Sequence, residues 1–261
     1  MPRAVTAIYT VFSTAAATAE AAAKLFADTA NEAVTNRGRA RIAISGGSTP
    51  KNMFKLLAAE PFLSEVPWAK IDLFWVDERC VPPTDADSNY KMTNEALLSH
   101  VPLPAEQIHR MEGELEPEVA ASRYESQIRI AFRLEGAETP TFDLILLGMG
   151  DDGHTASLFP HTEGLDELSR IVIANHVPQK DTWRITLTWP VINQGRKVAF
   201  LIEGAAKTDV LAAVLTGPYQ PDTYPSQIIR PASGKLTLLL DTAAAAKLPP
   251  AVDGTGTLNL S

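Results

Sequence analysis

Three apolar, strand-like runs in this chain each end in a polar loop, and that repeated transition constrains the fold more than any other feature. Residues 42–44 run into Ser45-Gly46-Gly47-Ser48-Thr49-Pro50, residues 71–76 into Asp77-Glu78-Arg79, and residues 142–147 into Gly148-Met149-Gly150-Asp151-Asp152-Gly153-His154. Hydrophobic, β-rich runs followed by loop and helix predict an α/β fold, a mostly parallel sheet flanked by helices. In such sheets ligands bind outside the carboxyl ends of the strands. The three loops are therefore expected to meet in one cleft. Between them they carry hydroxyls, backbone N–H groups, carboxylates, a guanidinium and an imidazole, a set that suits chemistry on a small phosphorylated molecule.

The rest of the chain fits around these transitions. The pattern predicts a strand over 4–12, a helix over 14–35, strands over 41–45 and 71–77, and a helix from Pro50 to residue 59, where proline is tolerated in the first turn. Residues 78–90 read as a polar loop in which Asp87 or Ser88 caps the next helix. A helix over 116–134 leads into the strand 142–147, and 155–159 reads as a short helix stopped by Pro160. Strands over 171–174, 183–188 and 198–202, a helix over 205–215 and a strand over 236–240 follow. The segment 247–261, with Pro249, Pro250 and alternating Gly and Thr, reads as a surface tail. No linker, repeat or charge block divides the chain, so 1–261 reads as one α/β domain.

Bulk properties remove several classes of partner. The formal net charge is −8, which argues against nucleic acid and against an anionic membrane surface. No run approaches the ~18 uninterrupted apolar residues of a membrane span. The Ala-rich stretch 14–30 carries Glu20, Lys24 and Asp28 and reads as an amphipathic helix rather than a signal peptide. One cysteine, Cys80, excludes an intramolecular disulfide and points to the cytoplasm. Oligomeric state stays open between monomer and small homo-oligomer.

With an acidic chain, an anionic ligand depends on a few local cations. Arg79 follows a strand directly, and its planar fork suits a phosphate; its competing use is an ion pair with Asp77, Glu78 or Asp85. Lys207 lies near the start of the helix 205–215, where a cation opposes the macrodipole unless an anion is bound. Arg184, inside a strand-like run, is a third candidate. The Ser45–Pro50 segment offers glycines, exposed N–H groups and hydroxyls, an anion cradle formed by Ser45, Gly46, Gly47 and Thr49. It lacks the Gly-Lys-Ser/Thr ending of a Walker loop.

Gly148 to Gly153 matches the dinucleotide fingerprint G-x-G-x-x-G, but Asp151 and Asp152 would repel a pyrophosphate at close range. The next strand ends at Asn175-His176, without an acid for a ribose. Asp152-Gly153-His154 is the better functional unit. His154 is placed as a general base beside a short helix start, which favours the neutral imidazole, while Asp152 orients the ring. The other histidines show no metal-ligand spacing, and no G-x-S-x-G elbow is present. Cys80, beside Arg79, reads either as an activated thiol or as a small buried hydrophobe.

Taken together and in order, these segments resemble the 6-phosphogluconolactonase family. The resemblance rests on Ser45 to Pro50, on Trp75 to Pro83 with Asp87-Ser88-Asn89-Tyr90, on Gly148 to Pro160, on Arg184 to Thr188 with Pro190 to Asn193, and on Gly204 to Lys207. It implies a Rossmann-like α/β fold shared with glucosamine-6-phosphate deaminases and ribose-5-phosphate isomerases. It also implies hydrolysis of 6-phospho-D-glucono-1,5-lactone in the oxidative pentose phosphate pathway, with no metal or other cofactor. By that resemblance His154 matches the general base, and Arg79 and Lys207 match positions near the phosphate. His161 departs from the glycine more usual after Pro160. An isomerase or deaminase of the same fold, with Asp77 or Glu78 as base, is the nearest alternative, although Ser157-Leu158-Phe159-Pro160 after His154 favours the lactonase. A non-catalytic sugar-phosphate sensor comes last.

Overall fold

The computed structural model describes residues 2 to 260, over which strands and helices are interspersed along the chain. The first half runs β1 (Val5–Phe12), α1 (Ala15–Arg37), β2 (Ala40–Ile44), α2 (Ser48–Leu57), α3 (Phe62–Glu65), β3 (Ile71–Trp75), β4 (Asp77–Arg79), α4 (Asn89–Ala96) and β5 (Ile108–His109). The second half runs α5 (Pro117–Phe132), β6 (Leu144–Leu147), β7 (Val172–Val177), β8 (Thr182–Leu187), α6 (Trp189–Ile192), β9 (Lys197–Ile202), α7 (Thr208–Thr216), β10 (Lys235–Asp241) and β11 (Thr255–Leu260).

Eight strands form one sheet in the order β11-β1-β10-β9-β6-β2-β3-β5. Every neighbouring pair is parallel except β11 with β1. All residues of β3 and β6 are buried, so these strands read as near-continuous apolar runs rather than alternating ones, Asp72 in β3 being a buried carboxylate paired with Arg39. Alternate side chains serve two cores. Ile42, Ile44, Leu144 and Leu146 face one, with Phe26, Phe54 and Trp68. Ala43, Ile145 and Leu147 face the other, with Tyr124, Ile185 and Leu211. From β2 the chain winds outward through β3 and β5, then returns to β6 beside β2 and winds the other way to β9. The reversal between β2 and β6 is a topological switch point, the place where such sheets hold ligands.

The Ala-rich stretch becomes α1. Thr14 caps it by accepting the Ala17 N–H at 3.1 Å, and Gly38 ends it in the left-handed region at φ 77°. Its buried face is Ala22, Ala23, Phe26, Ala27, Ala30 and Ala33, so small side chains let the helix lie close to the sheet. Ser88, one of the two expected caps of α4, accepts the Lys91 N–H at 3.1 Å. The helix after residue 47 starts at Ser48, which places Pro50 third rather than first, still within the turn where a missing N–H costs nothing.

Three expectations change. The segment 77–79 is not loop: at Val76 the chain leaves the parallel sheet, and β4 pairs antiparallel with β8, which pairs with β7, in a second three-stranded sheet. The segment 155–159 is not a helix. Ala156 takes φ 48°, outside the right-handed helical region, and a bridge between Thr155 and Leu158 closes a turn instead. Tertiary bonds hold it there, because the Ser157 N–H donates to Thr186 Oγ1 at 3.2 Å and Ser157 Oγ donates to Asp77 at 2.7 Å. Finally, the surface segment at the end of the chain is ordered over 255–260 as the edge strand β11, Ser261 lying outside the described residues. Gly256 makes that pairing possible: a Cβ there would meet the Tyr9 ring at 2.0 Å. Tyr9 in turn donates its hydroxyl to the Pro249 carbonyl at 2.7 Å.

Candidate active site

The loops after β2 and β6 lie side by side because a buried hydroxyl joins them. Ser45 Oγ donates to the Leu146 carbonyl at 3.0 Å and accepts the Gly148 N–H at 3.3 Å. Ser45 thus lines the cleft but spends its hydroxyl on architecture. Gly46 is required by a close approach: a Cβ there would lie 1.9 Å from Asn89 Oδ1. Gly47 adopts φ 98° and ψ −179°, a glycine conformation, and precedes α2 without any side-chain cap. The N–H groups that open α2, at Ser48 and Thr49, therefore keep no side-chain acceptor and border the cleft. Uncapped helix N–H groups with an aligned macrodipole form an anion site.

Opposite them is the β6 loop. The Gly150 N–H donates to the His154 carbonyl at 2.8 Å, and Thr155 Oγ1 donates to the Gly148 carbonyl at 2.8 Å, which folds the loop back on its strand. His154 Nδ1 lies 2.5 Å from Asp152 Oδ1, and the same oxygen accepts the His154 N–H at 3.1 Å. Burial works against ionising Asp152, but the hydrogen bonds and charge of His154 outweigh it and hold the carboxyl down at about 2. An ionised carboxylate only accepts, so the proton is assigned to Nδ1 and Nε2 is the basic nitrogen. The ring stacks on Phe159 with centroids 4.0 Å apart. That aromatic support takes the place of the expected helix start, so no macrodipole acts on His154. A Cβ on Gly150 would fall 2.0 Å from Nδ1 and 2.7 Å from Asp152 Oδ1, and the pair exists only because residue 150 is glycine.

The segment after β3 divides its duties. Asp77 borders the cleft, yet it accepts Ser157 Oγ at 2.7 Å and Asn89 Nδ2 at 3.4 Å. Glu78 does not reach the cleft. Its carboxylate is buried against the start of α4, accepting the N–H groups of Arg79, Asn89 and Tyr90 at 2.8 Å each and the Ser88 hydroxyl at 3.1 Å. Burial pushes its carboxyl up against the pull of those N–H groups. Neither carboxylate is left free as a base. Arg79 does border the cleft and pairs with none of the carboxylates of Asp77, Glu78 and Asp85; its guanidinium donates to the Asp87 carbonyl. Arg184 lies directly across the strand pair from Arg79 but outside the cleft lining, donating to Thr182 Oγ1 at 2.9 Å and the Trp183 carbonyl at 3.0 Å. Burial and the Arg79 charge push its guanidinium down. The Cys80 thiol is pushed up to about 11 by burial, against the activated reading. Lys207 stands at the N-cap of α7 and reaches Asp151 across the mouth of the cleft.

The cleft these groups enclose measures 340 Å³. A larger groove of 660 Å³, bordered by Glu163, Asp166, Arg170, His176 and Trp183, contains none of the strand-end loops and none of this chemistry. Among the described residues, no group of three or more His, Cys, Asp or Glu is placed to hold a metal ion, and no helix is long and apolar enough to cross a membrane. Two polar residues of the cleft, Asn89 and Glu203, receive no site role from the sequence, although Asn89 lies in a motif that carries the resemblance. Asn89 fills the space left by Gly46, and Glu203 follows β9 directly. Asn89 Oδ1 and Glu203 Oε1 are both shielded from solvent without a donor among the described residues. A buried acceptor left so costs about 1–3 kcal/mol. A charged residue one position beyond a strand was the available signal for Glu203.

Comparison with known proteins matches residues 13–238 to the family described as glucosamine-6-phosphate isomerases/6-phosphogluconolactonase. The 6-phosphogluconolactonase of Nostoc sp. is 44% identical over 218 residues, 83% of this chain and 88% of that protein. The solved structure of 6-phosphogluconolactonase from Trypanosoma cruzi superimposes with a TM-score of 0.80 at 30% identity, covering 96% of this chain and 98% of that one. A monomeric glucosamine-6-phosphate deaminase shares the fold at 19% identity, with a TM-score of 0.75 over 91% of this chain and 98% of that one.

Proposed function

This chain belongs to the family of glucosamine-6-phosphate isomerases and 6-phosphogluconolactonases, and from that premise we propose that it hydrolyses 6-phospho-D-glucono-1,5-lactone to 6-phospho-D-gluconate. The observation that carries the reading is one cleft with an anion end and a basic end. The uncapped start of α2, Arg79 and Lys207 supply the first, and His154, held by Asp152, supplies the second.

In this reading the phosphate is gripped at the anion end, which fixes the lactone carbonyl beside the imidazole. His154 Nε2 takes a proton from water as the water oxygen bonds to C1. Backbone N–H groups of the strand-end loops stabilise the oxyanion. Collapse of the tetrahedral intermediate breaks the bond from C1 to the ring oxygen, and the imidazolium returns its proton to that oxygen. Asp152 stays ionised throughout and balances the imidazolium charge. General-base help of this kind is worth roughly 10²–10⁴-fold. The steps use an imidazole, a water and an electrophilic lactone, so the reading needs no metal. It includes a cytoplasmic location in the oxidative pentose phosphate pathway.

The test is turnover of freshly generated 6-phosphogluconolactone, followed by proton release with the spontaneous rate subtracted, with and without EDTA and beside unphosphorylated gluconolactone. Fast, EDTA-resistant and phosphate-dependent hydrolysis is expected. A rate no higher than background would overturn the reading.

A further inference from the structure

Among the described residues, Glu203 is the cleft carboxyl left with a buried oxygen and no donor. Two carboxyl groups border the cleft, and Asp77 is committed to Ser157 and Asn89. Glu203 caps no helix: α7 begins at Thr208 after its N-cap Lys207, and neither it nor the turn at 205–207 has a side-chain cap. Its Oε1 has no donor among the described residues, although it is shielded from solvent. The backbone beside it is pinned independently: Gly204, at φ 93°, donates its N–H to both oxygens of Asp241 at 3.1 and 3.0 Å. Lys207, four residues on, reaches Asp151 rather than Glu203.

We propose that Glu203 is a specificity-determining residue of this cleft, its carboxyl group hydrogen-bonding a hydroxyl of the bound sugar. The inference rests on the sugar-phosphate reading above and extends it from the two ends of the substrate to its polyol body. A hydroxyl both donates and accepts, and so does a neutral carboxyl. Burial and the neighbouring Asp241 carboxylate push the Glu203 carboxyl up to about 7. Near neutrality much of it is therefore uncharged and does not repel a phosphate in the same cleft. The charged and titratable groups around it are Asp241 from β10, Lys207 from the start of α7, and Asp77, Arg79 and His154 on the cleft wall. As pH rises through that value Glu203 ionises, loses its donor and meets the substrate as a like charge.

The experiment compares wild type, Glu203→Ala and Glu203→Gln in lactone turnover, and titrates each with glucitol 6-phosphate and with inorganic phosphate by calorimetry. Glu203→Ala is expected to raise KM and weaken glucitol 6-phosphate about three- to tenfold, with kcat and inorganic phosphate affinity little changed. Glu203→Gln, which keeps a neutral donor and acceptor, is expected to restore both. From about pH 6 to about pH 8 the preference of wild type for glucitol 6-phosphate over inorganic phosphate should fall, and that of Glu203→Gln should not. Unchanged KM and glucitol 6-phosphate affinity in Glu203→Ala, or an equal loss for inorganic phosphate, would overturn the proposal. A wild type that binds glucitol 6-phosphate through Glu203 but leaves the lactone intact would overturn the lactonase reading and uphold the contact. A wild type that binds neither compound would overturn both.

Discussion

After β3 the chain carries Asp77-Glu78-Arg79, and after β6 it carries the loop from Gly148 to His154. Both segments put acids beside a strand end, and by composition they look interchangeable. Their carboxylates differ in what fills them. Glu78 accepts three N–H groups and a hydroxyl, and all four donors belong to its own strand and the start of α4. Asp152 gives one oxygen to His154, whose ring is left with a second nitrogen for chemistry. A carboxylate saturated by backbone donors organises the fold, whereas one that holds a single side chain organises a reaction. Glu203 is the third case, a carboxyl whose Oε1 has no donor among the described residues, which is why the proposal has a ligand complete it.

The sharpest way to break this contrast is His154→Ala. The expected loss in kcat is roughly 10²–10⁴-fold with the melting temperature nearly unchanged, read by lactone kinetics and calorimetry. A variant with wild-type kcat would erase the distinction between the two segments. Glu78→Ala should behave in the opposite sense. Orphaning buried donors at the start of α4 is expected to cost about 2–4 kcal/mol in denaturant unfolding, with kcat per folded molecule preserved. Arg79→Ala falls between them: KM for the phosphorylated lactone rises about 10-fold and its salt dependence flattens, while kcat holds. The smallest effect sharpens the third case. Because the Glu203 carboxyl is raised in the folded state, folding is penalised above the unfolded value and most fully above about pH 7. Glu203→Gln should then raise Tm by a few degrees at alkaline pH, a gain that disappears in acid below the ordinary carboxylate range.

Much of the proposed site is legible in the sequence because strand ends and helix starts are local signals. The runs before Ser45 and Gly148 read correctly as neighbours at one end of a sheet, and Lys207 read correctly as a helix-start cation. Glu78 and Arg184 misled for different reasons: Glu78 is saturated by donors at the start of α4, which a strand-end acid does not announce, and Arg184 is set opposite Arg79 by β4 pairing with β8, a contact across about a hundred residues that no local pattern encodes. The turn at 155–159 misled because Ala156 takes a left-handed conformation that its tertiary bonds impose against its propensity. The edge strand misled because alternating Gly and Thr suits a loose tail as well as a pairing strand, until Gly256 is seen lying over Tyr9.

The hydroxyl of Ser45 has one more consequence. By stitching the end of β2 to the end of β6 it fixes the separation between the proposed phosphate grip and the imidazole, as a caliper locked at one opening. Sugar phosphates whose reactive carbon lies nearer the phosphate can occupy the grip yet stop short of the jaw, so chain length is selected at the chemical step rather than at binding. Such molecules would act as competitive occupants that never turn over, and the enzyme's selectivity among them would show in kcat before it showed in affinity.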